Sequence, residues 1–234
     1  MAFEIGYSGI FGSKAFLTVD YYNNDLTNFI TDLSVNPFGS VNPNFGTYTL
    51  PDGSPAPALV LATLQGALGP GLFPFLSNDV DGTPIFALVS YTNAGAVETQ
   101  GIDLGLNYYI TPEWLFDFSY SWFDFDIKDF GGADPSNLVP NAPENKFSMG
   151  LTYTGSNWGF SIKYRWTEEF DWAVGPFQGP VEEYELVDIT GNYQINDRVS
   201  LGLNISNAFD EEHYQSFGGD VLGRRALGSV TFEW

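Results

Sequence analysis

Residues 158–167 read Trp-Gly-Phe-Ser-Ile-Lys-Tyr-Arg-Trp-Thr, and this stretch decides the fold. Every second residue is aromatic or aliphatic, and the residues between them are small, polar or charged. Successive side chains of a β-strand point to opposite faces, so one face of this segment is wholly apolar and the other is polar. The stretch therefore predicts a β-strand with one face in water and one face covered.

The same alternation recurs in eight further segments. They lie near residues 3–7, 15–21, 102–108, 114–122, 147–154, 187–195, 199–206 and 229–234. Many of them approach the roughly 9–11 residues that a tilted strand needs to cross a bilayer. The sequence thus predicts an all-β chain of about nine strands.

The connections between these segments fall into two kinds. Short turns are predicted at 12–13, 111–113, 155–157 and 196–197, and long connections around 34–84, 129–143, 173–181 and 207–222. Short and long connections alternate, which is typical of a transmembrane antiparallel β-barrel with short periplasmic turns and long extracellular loops. Trp and Tyr residues near both ends of the strands agree with the two aromatic girdles of such a barrel.

Composition excludes several classes of function. The 234 residues include 29 acidic and 8 basic side chains, a formal net charge of −21 that argues against nucleic-acid binding. The chain contains no Cys, which excludes disulfides, zinc-thiolate sites and iron–sulfur clusters. A single histidine, His213, excludes a multi-histidine metal site and is interpreted as a loop histidine. We therefore expect no cofactor, no metal site and no catalytic residues, and hence a protein that is not an enzyme.

The long connection 34–84 and the N-terminus carry further expectations. Residues 58–68 form a short apolar stretch that could be a helix but covers only about half of a bilayer. Connections this long are often functional, so 34–84 either caps the lumen and touches a ligand or forms a surface lid without a ligand role. The first residues have neither the basic nor the apolar region of a signal peptide, so either the chain is not exported or Met1 is not its native start.

Charged side chains leave alternative interpretations open. Acidic clusters at 168–171, 182–185 and 210–212 either hold Ca²⁺ or, the favoured interpretation, form a solvated rim. Lys163 and Arg165 share a polar face with Asp103, Asp117 and Asp188 on other strands. These groups either pair with one another along the lumen or line a substrate path.

Several segments resemble the C-terminal part of the barrel of TonB-dependent outer-membrane receptors. They are residues 96–104, 141–147, 184–193, 204–210 and 223–225, and they carry the family-like motif residues Gly101, Asn207, Phe209, Asp210, Gly223 and Arg224. Ala208 stands where the motif usually has Leu. The chain ends on alternating apolar residues, Val230, Phe232 and Trp234, which resemble the C-terminal signal that the barrel-assembly machinery reads.

The resemblance implies a place and a function. We expect residues 1–234 to be a single C-terminal barrel segment in the outer membrane of a Gram-negative bacterium, part of a larger barrel of about 22 strands. It implies active uptake of a scarce nutrient, such as a siderophore, a vitamin or an oligosaccharide, with no substrate identified. The expected partners are outer-membrane lipid, the barrel-assembly machinery, and a plug domain and remaining strands in a missing segment or a separate chain. Because no plug domain is expected within these residues, contact with TonB would be indirect.

Two other functions remain open at this point. The chain could be a small passive outer-membrane barrel or an adhesin that uses its long loops, which an even number of strands would favour. It could also be a soluble β-domain that binds glycans through exposed aromatic side chains.

Overall fold

A computed structural model of the protein describes residues 1–30, 93–129, 138–174 and 177–234, together with the pairs 34–35, 77–78, 84–85 and 89–90. These residues form fifteen strands: β1 (Ala2–Phe11), β2 (Ala15–Ile30), β3 (Ser34–Val35), β4 (Ser77–Asn78), β5 (Pro84–Ile85), β6 (Val89–Ser90), β7 (Asn93–Tyr109), β8 (Trp114–Asp129), β9 (Asn145–Thr154), β10 (Trp158–Thr167), β11 (Phe170–Val174), β12 (Phe177–Val181), β13 (Tyr184–Asn196), β14 (Val199–Ser206) and β15 (Arg225–Phe232). Over the described ranges, no helix is long and apolar enough to cross a membrane.

Nine of these strands form one antiparallel sheet. Its order is β1-β2-β7-β8-β9-β10-β13-β14-β15, so each strand pairs with its neighbour along the chain once the short strands are set aside. The nine strands predicted from alternation are confirmed, although β7 and β8 extend further than predicted, to Asn93 and Asp129. The predicted long connection around 173–181 joins β10 to β13, and part of it is not irregular, because β11 and β12 form a two-stranded sheet within it.

The chain divides into two compact units. The first comprises Met1–Phe29, Ala94–Ala173 and Phe177–Trp234 and contains nearly all of the nine-stranded sheet. The second comprises Ile30–Asn93 and Val174–Pro176, and its described residues include the strand pairs β3–β6 and β4–β5. The predicted helix at 58–68 and most of the predicted loop 34–84 lie outside the described residues.

The β1–β2 turn shows why the short connections are tight. Gly12 and Ser13 both have positive φ angles, 55° and 54°, and Lys14 donates its backbone N–H to the Phe11 carbonyl at 3.1 Å. Two central residues with positive φ match the right-handed twist of the flanking strands, which favours a two-residue hairpin connection. Two-residue connections join β1–β2 and β13–β14 at one end of the sheet, where the β7–β8 and β9–β10 connections also lie, and of these two only the β1–β2 turn has positive φ angles.

The apolar face of the sheet lies outside the protein's own core. In register across three strands, Leu151, Ile162 and Ile189 lie side by side on this face, and Ile162 is 43% exposed. Trp158 and Leu203 on the same face are 47% and 48% exposed. A continuous apolar surface of this extent is stable only when something apolar covers it, and in a barrel that cover is the lipid bilayer.

The two edges of the nine-stranded sheet run in the same direction. Each step across an antiparallel sheet reverses the strand, so the first and ninth strands, β1 and β15, both run toward the end with the short turns. Placed side by side, these two edges would form a parallel pair, which an antiparallel up-and-down barrel does not contain. The sheet is therefore open at β1 and β15 within the described residues.

Candidate functional site: the inner face and its extracellular connections

The polar face of the sheet contains a row of ion pairs. Arg165 on β10 donates from Nε to Asp188 Oδ2 on β13 at 3.0 Å, and its Nη2 lies 2.8 Å from the same oxygen. Lys163, two residues earlier on the same face, lies 3.9 Å from an Asp117 carboxylate oxygen on β8. The expectation of lumenal pairing is therefore correct for these four residues. Asp103, the fifth residue of the predicted set, is in none of the ion pairs that the described residues form within 4.0 Å.

A recess of about 470 Å³ lies on this polar face, next to the ion pairs. Its polar lining combines Lys146 and Arg165 with Asp103 and with hydroxyl groups from four strands: Thr18, Ser119, Ser121, Ser148 and Thr167. Lys146 stands in register between Ser121 and Thr167. Across the described part of the chain, the Lys146 ammonium forms no ion pair within 4.0 Å. The recess thus holds a cation without a fixed counterion in a chain whose charge is strongly negative.

Hydroxyl groups pair across the strands of this face. Ser119 Oγ lies 2.8 Å from Ser148 Oγ, and Thr152 Oγ1 lies 2.9 Å from Ser161 Oγ. In each pair one hydroxyl donates to the other, and the hydrogen of the accepting hydroxyl remains free for a further bond. The inner face can therefore donate hydrogen bonds to a solute in the lumen.

Asp188 also ties this face to the connection that follows β14. Its Oδ1 accepts the backbone N–H of Asn207 at 3.0 Å. Asn207 has a φ of 55°, and its side chain binds Glu211 twice: Nδ2 donates to the Glu211 carbonyl at 2.7 Å, and Oδ1 accepts the Glu211 N–H at 2.9 Å. Asn tolerates a left-handed backbone better than most residues, and its amide can replace a missing backbone partner. Arg165, Asp188, Asn207 and Glu211 thus form one continuous chain of hydrogen bonds.

Asp210 and Arg224 hold together the two ends of the same connection, and we call this pair the clamp. Asp210 Oδ1 accepts the backbone N–H of Arg224 at 2.7 Å, and the Arg224 guanidinium lies 3.7 Å from Asp210 Oδ2. Arg224 also donates from Nη1 to the Ala208 carbonyl at 3.3 Å. A Cβ at Gly223 would lie 3.1 Å from Asp210 Oδ1, so a side chain there would press against the clamp.

Four of the six predicted motif residues come together in the structure, and the other two do not. Asn207, Asp210, Gly223 and Arg224 come together at the base of the connection between β14 and β15. Gly101 lies elsewhere, on β7, where a Cβ would collide with the Tyr22 phenol and would lie 2.7 Å from the Trp122 carbonyl oxygen. Phe209 is 80% exposed and does not contribute to the clamp. Sequence reasoning identified the Asp188 side chain only as a polar-face residue and missed its bond to Asn207, because nothing in the sequence spacing relates the two residues.

His213 lies inside the clamped connection. It is 7% exposed, its ring centroid is 4.6 Å from that of Tyr184, and Nδ1 is 3.1 Å from the Glu211 carbonyl oxygen. Since a carbonyl oxygen only accepts, Nδ1 carries the hydrogen. The backbone of His213 pairs in both directions with Leu222. His213 thus lies in a loop, as predicted, and packs in the interior of that connection.

A polar belt follows the apolar band on the outer face. For each of five strands we take the first outward-facing polar position beyond the apolar band, counted toward the extracellular end. We call these five residues the outer belt: Gln100, Asp124, Asn145, Glu168 and Glu185. Tyr120 donates its hydroxyl to Asn145 Oδ1 at 2.6 Å, and Gln100 Nε2 donates to Asp124 at 2.9 Å. Aromatic hydroxyls bonded to a ring of polar groups are expected where a barrel leaves the hydrocarbon core. The outer belt therefore marks the extracellular boundary of the membrane-spanning band.

Lys128 forms two salt bridges beyond this boundary. Lys128 Nζ is 2.7 Å from Glu98 and 2.6 Å from Asp126. The hydrogen bond from Lys128, with a second from Asn23, lowers the pKa of the Glu98 carboxyl. The hydrogen bonds to Asp126 and Glu98 raise the pKa of Lys128, so the ammonium stays charged. Because all these groups are solvated, the salt bridges organise the rim and contribute little to stability.

Two further sets of predicted residues are the acidic clusters and the C-terminal residues. In the described ranges, no three His, Asp or Glu side chains come close enough together to hold a metal ion. Phe232 and Val230 lie on the outer face of the edge strand β15, paired in register with Val199 and Leu201. Trp234 follows β15 and is fully exposed.

The family model for the "TonB dependent receptor-like, beta-barrel" matches residues 2–208, nearly the whole of the sheet. The chain belongs to this family of TonB-dependent receptor barrels. The fold agrees: the copper transporter OprC superimposes with a TM-score of 0.64 at 17% identity, over 99% of this chain and 30% of that one.

Curated relatives of this TonB-dependent receptor barrel are named as receptors and transporters. The probable TonB-dependent siderophore receptor PiuA of Acinetobacter baumannii is 25% identical over 169 residues, which cover 62% of this chain and 22% of PiuA. The vitamin B12 transporter BtuB of Vibrio vulnificus is 32% identical over 107 residues, covering 44% of this chain and 17% of BtuB. The chain thus spans about a fifth of the length of these relatives. Its location is the outer membrane of a Gram-negative bacterium, where receptors of this family reside.

Proposed function

We propose that this chain supplies nine consecutive wall strands of a TonB-dependent outer-membrane receptor. The receptor takes up a scarce nutrient by active transport, and a siderophore, a vitamin or an oligosaccharide is the expected class of substrate. The observation that carries the proposal is the two-faced sheet: an apolar, aromatic-rimmed outer face and an inner face of ion pairs and hydroxyls. Such a wall suits a lipid-embedded barrel with a wet interior.

The open edges support a larger barrel. Since β1 and β15 run in the same direction, the strands that complete an antiparallel barrel must be odd in number. A barrel of about 22 strands would need about 13 more, with both terminal strands of that set running outward. We propose that these strands and a plug domain belong to another segment or another chain, and that the plug makes the contact with TonB. By this proposal the nine strands act as wall, loops and assembly signal, and catalyse no reaction.

The same parity weighs against the first alternative, a small passive barrel or adhesin. Closing the nine strands on themselves would bring β1 and β15 together as a parallel pair. The second alternative, a soluble glycan-binding domain, is disfavoured by the apolar face, because Ile162 and Leu203 would stand in water at 43% and 48% exposure.

The first experiment tests assembly in native outer membranes. We would extract the protein in mild detergent, run it unheated and boiled on a denaturing gel, and determine the intact mass of every co-migrating chain. A receptor barrel predicts a heat-sensitive species that contains about 22 strands in total, in one chain or two. A heat-sensitive species of these nine strands alone would contradict the proposal and favour the small barrel. A protein soluble without detergent would favour the glycan-binding domain.

The second experiment tests uptake without knowing the substrate. Cells with and without the receptor gene grow in the same medium, and mass spectrometry compares the compounds left in the medium. We expect at least one compound to be depleted only by receptor-bearing cells, and only while the inner membrane is energised. If energised cells of both kinds deplete the same compounds at the same rate, the transport function is wrong.

A further inference from the structure

The recess around Lys146 has a chemical character that the receptor function alone does not assign. We propose that Lys146 and Arg165 form an oxyanion site on the lumen wall, which takes a carboxylate- or phosphate-bearing, hydroxyl-rich solute. The inference rests on the proposed uptake function and names the substrate class for it. The contacts of the recess support it.

Lys146 is the first of these contacts. Of the 8 basic residues, Lys128, Lys163, Arg165 and Arg224 lie within 4.0 Å of a carboxylate, and of the four that within the described ranges do not, Lys146 is the one that lines the recess. Its neighbours in register are the hydroxyl residues Ser121 and Thr167, which cannot neutralise it. An ammonium with three donors on a wet wall can therefore bind an anion without first breaking an ion pair.

Arg165 supplies the second group of donors. The guanidinium has five N–H groups, and Asp188 engages Nε and Nη2 on one side of the fork. Among the described residues, no other acceptor engages the remaining N–H groups, which include both on Nη1. Asp188 thus fixes the orientation of the guanidinium while leaving donors for a solute, and it acts as a positioning residue for the site.

The hydroxyls define the rest of the solute. The Ser119–Ser148 pair leaves one free O–H hydrogen, and Ser121, Thr167 and Thr18 add further donors and acceptors around the same recess of about 470 Å³. Asp103 in the same lining provides an acceptor for solute hydroxyl groups. Ammonium and guanidinium groups for an oxyanion, with hydroxyls beside them, suit an anionic polyol better than an apolar or a cationic solute.

The height of the recess favours a solute from outside. Lys146 directly follows Asn145 of the outer belt, so it lies at the extracellular end of its strand, close to the boundary of the membrane-spanning band. A solute arriving through the extracellular mouth reaches the level of Lys146 before the deeper level of Lys163. A carboxylate of the plug is the competing occupant, and the experiment distinguishes the two.

Tartrate and threitol test the proposal as a matched pair of probes, since they share a four-carbon skeleton and differ in that tartrate ends in carboxylates. Calorimetry on the whole receptor in detergent, folded as judged by heat-modifiability, should show tartrate binding that weakens with salt and no threitol binding. Lys146→Gln should weaken tartrate binding by about tenfold or more, because a charge-assisted bond is lost. Lys128→Gln, which alters an outer-face lysine held by Glu98, should leave binding unchanged.

Three results would overturn the oxyanion site. They are no tartrate binding by the folded receptor, equal binding of tartrate and threitol, and equal tartrate binding by the receptor and its Lys146→Gln variant. If a plug carboxylate pairs with Lys146, the folded receptor will not bind tartrate, and the Lys146→Gln variant will be less heat-stable than the receptor. The depletion experiment is independent of all three, so receptor-dependent uptake without tartrate binding rejects the site and leaves the transport function standing.

Discussion

Asn141 and Ala173 are joined by two hydrogen bonds that reproduce a β-ladder with a side chain in place of one strand. Asn141 Nδ2 donates to the Ala173 carbonyl at 3.1 Å, and Asn141 Oδ1 accepts the Ala173 N–H at 2.7 Å. The two residues belong to different extracellular connections, the one between β8 and β9 and the one between β10 and β13. Ala173 itself is buried, and so is Leu138, which lies three residues before Asn141 in the sequence. The amide therefore couples two connections that the sheet itself does not join.

The first prediction removes this amide. Asn141 has a φ of 54°, so Asn141→Gly keeps the backbone conformation available and deletes only the side chain. We expect hydrogen exchange at the Ala173 amide to quicken by about tenfold or more, since a net hydrogen bond contributes on the order of 1 kcal/mol and two are lost. Exchange at the amides of Ile162 and Gly150 should stay unchanged. Unaltered exchange at Ala173 would mean that other contacts hold β11.

The second prediction concerns the clamp between Asp210 and Arg224. Asp210 has a φ of 63°, so Asp210→Gly tolerates the backbone while it removes the acceptor of the Arg224 N–H. We expect trypsin to cleave after Arg224 and Arg225 faster in this variant, because cleavage needs a locally opened backbone. The matched control is Asp197→Gly in the short turn between β13 and β14. Equal cleavage rates in the receptor and the Asp210→Gly variant would show that the clamp does not hold this connection closed.

The third prediction tests the close approach at Gly101. Gly101→Ala places a Cβ against the Tyr22 phenol and 2.7 Å from the Trp122 carbonyl oxygen, so we expect a lower unfolding temperature on heated gels. Adding Tyr22→Ala to Gly101→Ala should restore only part of the lost unfolding temperature, because the Trp122 carbonyl oxygen stays in place. Gly228→Ala is the control, since its Cβ meets nothing within 4 Å and should have no effect. Full recovery in the double variant would contradict the backbone contact.

The fourth prediction tests which end of the sheet faces outward. Because the chain has no Cys, single cysteines can be labelled one at a time with a membrane-impermeant maleimide on intact cells. We expect labelling at Glu183→Cys beside β13 and none at Ser156→Cys in a short turn until the outer membrane is breached. Ile162→Cys in the apolar band should resist labelling in both conditions. Labelling of Ser156→Cys on intact cells would invert the orientation.

The fifth prediction concerns the C-terminal assembly signal. Phe232 lies on the outer face of the edge strand, paired in register with Val199, whereas Ser229 faces the inside. We expect Phe232→Ala to reduce the amount of heat-modifiable receptor in the outer membrane several-fold and Ser229→Ala to leave it unchanged. Equal assembly of both variants would remove the assembly role from this residue.

The sequence was most informative where a residue's role depends on its own strand. The alternation in 158–167 predicts β10 and both of its faces, because side-chain direction follows from strand geometry alone. The bond between Asn207 and Asp188 is different. The sequence motif includes Asn207, but Asp188 lies on another strand, and pairing the two requires the register of the sheet. His213 shows the same limit, since its burial depends on Tyr184 and Leu222 closing around it. The hairpin at 170–181 was missed because its strands are five residues each, too short for a clear alternation.

The shared direction of β1 and β15 has a consequence for the ancestry of such walls. Barrels that grow by copying hairpins gain strands two at a time, and each copied unit begins and ends on the same side of the membrane. A run of nine strands is not a whole number of hairpins. Fusing two copies of this run end to end would set two parallel strands beside each other. In an antiparallel barrel, this run of nine strands could therefore be exchanged only for another odd-numbered run, because an even-numbered run would place one of its two edges parallel to its neighbour.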